Sequence, residues 1–430
     1  MNNKIFIMLT MTVSLMLSSC SENIQEDVTY IHAGKMIDVL NDTVLHNQMI
    51  TVKEGRITAI DTWSNDAPTA NVIDWSEYTV LPGLIDGHSH LIGNIQTNDV
   101  TGPLKYTREE DIAIGVINAE KTLKAGFTSV IDLGAYRGYT DVELRDAINN
   151  GDVIGPRMWV SGAYITVTGG GGEVFGSDQG VEIPDDFRVG VADNEQEVRA
   201  QVNKLLSNGA DHVKMIATGA VLTVGTEPGE AEYSEAEIRA AVEEAAKYGT
   251  YVTAHAHGAE GIKMAVRAGV RSIQHGSIMD DEGLMMMKEA GTWLVADIYN
   301  GDYINEVGAA ENWPEETMRK NRDTTDTQRA VFRKAVDLGV NIAFGSDSGV
   351  YPHGTNGKQF AYMVRYGLTP MQAIKSATIW GAEVMSHEDE VGSISVGKYA
   401  DMVAVKGDVL DDITLLENVD GVIKGGVLVK

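Results

Sequence analysis

The spacing of apolar positions along the chain changes character twice. From about residue 28 to 80, runs such as YIHAGKMIDV, HNQMITVKEGRITAIDTW and NVIDWSEYTVL, with turn residues between them, predict antiparallel strands. At the other end, GSISVGKYADMVAVKGDVL and DGVIKGGVLVK predict more strands. Between these flanks, short apolar runs alternate with amphipathic helical stretches, SEAEIRAAVEEAAKYG and TQRAVFRKAVDLG among them, which is the pattern of βα units on a parallel sheet. The apolar runs are GLIDGHSH (83–90), TSVIDLG (128–134), RMWVSGAYIT (157–166), DHVKMIAT (211–218), YVTAHAHG (251–258), SIQHGS (272–277), TWLVADIYN (292–300) and NIAFGSDS (341–348). Eight strands with intervening helices predict an α/β fold of the (β/α)8 TIM-barrel type. GGGG at 169–172 falls in the loop after the third of these strands, where its flexibility suits a segment lying over a ligand.

The first 20 residues stand outside this pattern. MNNK is a short basic start, IFIMLTMTVSLML is too short for a comfortable membrane span, and small residues follow, so 1–20 is expected to be a signal peptide. Its end, LSSC, resembles the lipobox of bacterial lipoproteins, in which the cysteine is acylated and becomes the mature N-terminus. Cys20 is the sole cysteine, so no intrachain disulfide framework exists. The expectation is an exported chain anchored through lipid at Cys20, in the periplasm or at the surface of a bacterial cell. With 34 basic and 62 acidic residues the net charge is −28, which repels nucleic acid and anionic membrane surfaces.

Of the ten histidines, His88, His90, His255, His257 and His275 fall at the C-terminal ends of predicted strands one, five and six. In a barrel those ends form a single rim, and the active site is built there. Residues i and i+2 of a strand share a face, so His88 and His90 point together into the mouth. Asp347 joins from the end of strand eight, and imidazoles with a carboxylate suit a divalent metal such as zinc. A lone histidine would more often be a structural hydrogen-bonding residue; several strands delivering metal-binding groups to one rim argues for a metal. Lys214, inside the apolar strand DHVKMIAT, would cost several kcal/mol to bury unpaired, on the order of the penalty for other unpaired buried ions. A salt bridge to Asp132 is the bland explanation.

These motifs together resemble the amidohydrolase superfamily, in its branch of binuclear-metal dipeptidases and carboxypeptidases with prolidase-like and imidazolonepropionase-like relatives. The resemblance runs from LPGLIDGHSH through HVKMIATG, TAHAHG, IQHG and GSDSG to PHGTN and GLTPMQAIKSATIWGAE. It implies that the flanks, 21–80 and 386–430, combine in a small β-sandwich beside a barrel over 81–385, with GKYADMVAV as the C-terminal return. Trp63 and Trp75 are then expected in the sandwich core. It also implies two divalent metal ions, zinc being the expected one, with a CO2-derived carbamate on Lys214 bridging them. His88, His90 and Asp347 would hold the more buried ion, and His255 and His275 the more exposed one. A hydroxide generated by the metals would be the nucleophile, and Asp347 would carry its proton to the leaving amine.

His257 is expected to contact substrate. In relatives a TGGHG loop supplies a histidine for the substrate's carboxylate; here Gly171 stands in that place, and Arg137, Tyr233 and His353 are the other rim candidates. The implied reaction is hydrolysis of the amide bond of dipeptides or N-acyl amino acids, small enough for a pocket roofed by short loops. A cyclic amide or lactone hydrolase is the alternative among enzymes, and a lipid-anchored binding protein that has lost catalysis is the alternative outside them. A small molecule is the expected partner, with homo-oligomers admitted.

Overall fold

A computed structural model of the chain describes residues 28–93, 101–174 and 182–430. The expected signal peptide and Cys20 lie outside them. Within the described residues no helix is long and apolar enough to cross a membrane.

Four strands open the chain: β1 (Val28–Asp38), β2 (Thr43–Lys53), β3 (Arg56–Thr62) and β4 (Val72–Pro82). The barrel strands follow as β5 (Leu84–Ser89), β6 (Phe127–Asp132), β7 (Arg157–Val160), β8 (Tyr164–Ile165), β9 (Val213–Ile216), β10 (Val252–Gly258), β11 (Ser272–Ile278), β12 (Trp293–Ala296) and β13 (Ile342–Phe344). Three short strands, β14 (Met402–Val405), β15 (Gly421–Lys424) and β16 (Val427–Leu428), close the chain. Every residue of β5, β6, β9, β10, β12 and β13 is buried, as expected of parallel strands covered on both faces.

All eight predicted apolar runs contain barrel strands. The third is split into β7 and β8 because the chain turns left-handed at Gly162, whose φ is 76°. Hydrogen bonds run in parallel register through β5-β6-β7 and through β8-β9-β10-β11-β12-β13. The amide of Asp211 donates to the carbonyl of Val160 (2.8 Å), linking the two sets on one side. On the other, the amides of Asp347 and His90 donate to the carbonyls of His88 (2.7 Å) and Ser348 (2.9 Å), closing the ring. Gly87 permits that closure, since a Cβ there would lie 2.7 Å from the carbonyl oxygen of Phe344.

The flanking strands form one seven-stranded sheet in the order β16-β15-β14-β4-β1-β2-β3, so both ends of the chain build it. Its apolar filling includes Ile31, Ile50, Val80, Met402 and Ile423, all fully buried, together with Trp75. Two expectations are corrected here. The strands are not all antiparallel, because the chain crosses over after β3 and returns to pair β4 parallel with the far edge of β1. Trp63 is not in the core; it stacks on the His32 ring, centroids 4.1 Å apart. Only Gly83 separates β4 from β5, so the sheet passes directly into the strand that carries the paired histidines.

Candidate active site

The barrel brings all six expected metal-binding residues to one open cavity, about 800 Å³ with the solvent at its mouth included, at the C-terminal ends of its strands. His88 and His90 sit at the end of β5, Lys214 in β9, His255 and His257 in β10, His275 in β11, and Asp347 just beyond β13. His88 Nε2 and His90 Nε2 lie 3.1 and 3.4 Å from the same oxygen, Asp347 Oδ1. The rings of His255 and His275 are 4.5 Å apart, and that of His257 is 4.7 Å from each. Three sets of donors, His88 with His90 and Asp347, His255 with His257 and His275, and His275 with Asp297 and Asp347, each lie within 4.8 Å of one another and are wholly buried.

Burial governs the charges here. It pushes His88 down to about 3 and His255 and His257 well below the usual imidazole range, which keeps each ring neutral, with one nitrogen lone pair able to bind a metal. Burial works against ionisation of Asp347, yet the imidazoles of His88 and His90 facing it hold its carboxyl well below the usual range. Lys214 is 2% exposed and is pulled down to about 7 by burial, with Asp347 and Asp297 opposing. It makes no salt bridge to Asp132, whose carboxylate instead accepts the amides of Leu91 (2.7 Å) and Gly134 (3.0 Å).

Two of the donors sit on unusual backbone. His275 and Asp347 have φ of 71° and 56°, in the left-handed region that side-chain-bearing residues avoid, at a cost on the order of 1–3 kcal/mol each. At these bends β11 and the end of β13 turn their side chains into the mouth.

A further layer fixes these residues, and the sequence reading passed over most of it. Asp297, the residue after β12, places Oδ1 2.8 Å from His275 Nδ1 and accepts from Asn300 (2.7 Å) and Gln328 (3.0 Å). Asn300 also donates to Asp347 Oδ2 (3.0 Å), joining the two carboxylates. His90 Nδ1 lies 2.9 Å from the Gly134 carbonyl, which also accepts from Tyr164 (3.0 Å). Such partners set which nitrogen of each ring faces a metal. Beneath them Asp86, fully buried, accepts the amides of His88 (3.1 Å) and Ser346 (2.9 Å), the Ser346 hydroxyl and the side chain of Asn356 (2.8 Å). It thereby ties the end of β5 to the turn that carries Asp347. Asp86→Ala would strand these buried donors, so it is expected to cost about 3 kcal/mol of stability and to lower metal content with it. An unchanged melting temperature would contradict that role.

The expected substrate contacts divide. His257 lines the cavity, its Nδ1 2.8 Å from the Ser277 hydroxyl. Arg137, Tyr233 and His353 do not line it. Arg137 is turned away by Asp111 (2.9 Å) and Asp186 (2.6 Å) and packs over Phe187. Tyr233 is 2% exposed and gives its hydroxyl to the Ala192 carbonyl (2.7 Å). His353 braces the carbonyl of His90 (3.0 Å) from behind. Among the described residues Lys214 is the only lysine or arginine in the wall.

The glycine loop is pinned rather than free. The Gly171 amide donates to Glu232 (2.9 Å) and the Gly171 carbonyl accepts from Thr223 (2.6 Å). A Cβ at Gly171 would stand 3.1 Å from that of Ala220, so glycine here permits close packing of two rim loops.

The donor set fits divalent cations: neutral imidazoles, an ionised carboxylate and a lysine with no ion-pair partner among the described residues converge, and His88 Nδ1 is buried there without a hydrogen bond. The comparisons with known proteins agree. Residues 79–429 match the Amidohydrolase family. Ochratoxinase of Aspergillus niger is 32% identical over 372 residues, covering 82% of this chain and 75% of its own length. A solved Xaa-Pro dipeptidase with methionine bound in its active site is 40% identical with a TM-score of 0.85, covering 93% of this chain and 99% of that one. A prolidase complexed with N-methylphosphonate-L-proline is 30% identical with a TM-score of 0.86, covering 94% and 99%. The chain belongs to the amidohydrolase family and is a metal-binding hydrolase of that superfamily.

Proposed function

We propose that this hydrolase uses a binuclear metal site to cleave the amide bonds of dipeptides and N-acyl amino acids. The observation that carries the proposal is the convergence of His88, His90, Lys214, His255, His275 and Asp347 on one cavity. His88, His90 and Asp347 would hold one ion and His255 and His275 the other, with Lys214, as its carbamate, between them; His257 belongs to the second donor group and faces substrate as well. When bound, two such ions lower the pKa of water and polarise a carbonyl. Lys214, near neutrality through burial, supplies the uncharged amine that carbamate formation needs. Asp347 is ionised and faces the imidazoles, so its carboxylate takes up the nucleophile's proton and releases it to the leaving amine. Asn300 holds the other Asp347 oxygen and keeps the carboxylate turned for that transfer.

The cavity volume suits a small substrate and excludes a folded protein. The Xaa-Pro dipeptidase and prolidase neighbours support a peptide-like amide. The lack of any arginine, and of any lysine besides Lys214, in the wall among the described residues favours a second reading, hydrolysis of uncharged cyclic amides or lactones. Purified zinc-loaded protein assayed on dipeptides, N-acetyl amino acids, cyclic amides and lactones separates the two. Turnover of the first two classes is expected, and turnover confined to the last two would overturn the first reading.

The location is proposed on the sequence alone: the mature chain begins at Cys20, acylated, with the barrel outside the cytoplasm. Cys20→Ser is expected to move the protein from the membrane fraction to the soluble one. Unaltered fractionation would sink the idea.

A further inference from the structure

We propose that the aliphatic part of the cavity wall is a subsite for one apolar side chain flanking the scissile amide, built by Ile216, Val221, Leu222, Ile304 and Val350. This rests on the reading of the cavity as the substrate site of a small-amide hydrolase and says what that substrate carries. The five residues come from the end of β9, the loop after it, the helix Asn300–Glu311 and the loop after β13. Ile304 and Val350 pack with Trp313 and Met318, and Leu222 against them, in a cluster distinct from the main core. That cluster backs the wall and holds it in place.

The cavity wall is therefore of two kinds, imidazoles and carboxylates on the one hand and aliphatic carbon on the other. Apolar surface kept in a pocket binds whatever removes it from water, and a leucine, methionine or phenylalanine side chain does so. A carboxylate side chain would remove no apolar surface from water there and would have to shed its own hydration against aliphatic carbon. Filling such a site with a leucine-sized group is worth about tenfold to a hundredfold in kcat/KM.

The test uses the full, metal-loaded chain with glycyl-glycine, glycyl-leucine, leucyl-glycine and glycyl-aspartate. At least one leucine isomer is expected to exceed glycyl-glycine about tenfold or more in kcat/KM, with the aspartate peptide no better than glycyl-glycine. Leu222 is half-buried, and Leu222→Glu is expected to bring the leucine-to-glycine ratio toward one. Calorimetric titration of the parent chain with free leucine and free glycine gives a second readout that needs neither turnover nor a variant, and leucine is expected to bind about tenfold tighter. Equal rates across the panel would remove the subsite and leave the hydrolase reading standing. No turnover of any peptide would remove the dipeptidase reading, and the two titrations would then decide the subsite: equal binding of leucine and glycine overturns it.

Discussion

Lys214→Ala is expected to bind less metal than the parent chain and to lose turnover by on the order of 10³-fold. The argument is electrostatic and geometric. Lys214 is fully enclosed, has no ion-pair partner among the described residues, and stands among five imidazoles and two carboxylates. As an ammonium it would repel the cations that the surrounding donors fit. As a carbamate it is an anion with two oxygens, and the repulsion becomes ligation. Short-chain carboxylic acids are expected to restore part of the activity of Lys214→Ala by standing in for the carbamate. Lys214→Arg is expected to fail as well, because a guanidinium does not add carbon dioxide and keeps its charge. Metal analysis alongside steady-state rates checks this. A Lys214→Ala chain with parental metal and turnover would remove the bridging role.

Asp347→Asn is expected to lower kcat by about 10²- to 10⁴-fold, the usual worth of a positioned acid–base group. The substitution keeps the volume and the left-handed backbone, for which asparagine is well suited, so the fold should survive. What goes is the charge that both His88 and His90 face and the oxygen that takes the proton. The loss should sit mainly in kcat, with a drop in metal affinity, and should leave the melting temperature of the metal-free chain close to that of the parent. This separates it from Asp86→Ala, whose cost falls on stability. An Asp347→Asn chain with parental kcat would exclude Asp347 as proton carrier.

Much of the site was legible because strands write their faces with a period of two. His88 and His90 could be read as sharing a side, and Lys214 as an intruder, because β5 and β9 are otherwise apolar. Asp347 was legible as the polar stop of a buried run. Asp297 follows the apolar part of TWLVADIYN in the same way, but an aspartate at a strand end also serves turns and helix caps, and only the partner on β11 gives it a role. Asp86 was hidden inside GLIDGHSH, since its partners Ser346 and Asn356 lie far along the chain. Gln328 and Asn300 come from helices, where a polar residue looks the same whether it faces water or a cavity.

The failures have one cause. Rim position says nothing about direction, and Arg137, Tyr233 and His353 are each claimed by a group the sequence does not place beside them: Asp111 and Asp186, the Ala192 carbonyl, and the His90 carbonyl. The parallel pairing of β1 with β4 was likewise invisible, because strand patterns carry no information about a crossover.

The proposed hydrolysis depends on a two-metal site built on Lys214, and elemental analysis of the full chain, purified without chelator and dialysed against zinc and bicarbonate, counts those ions. Two metal ions per chain are expected for the parent, with turnover lost when they are stripped and regained when they return. One ion per chain at full turnover, or full turnover with none, would rule out the two-metal site.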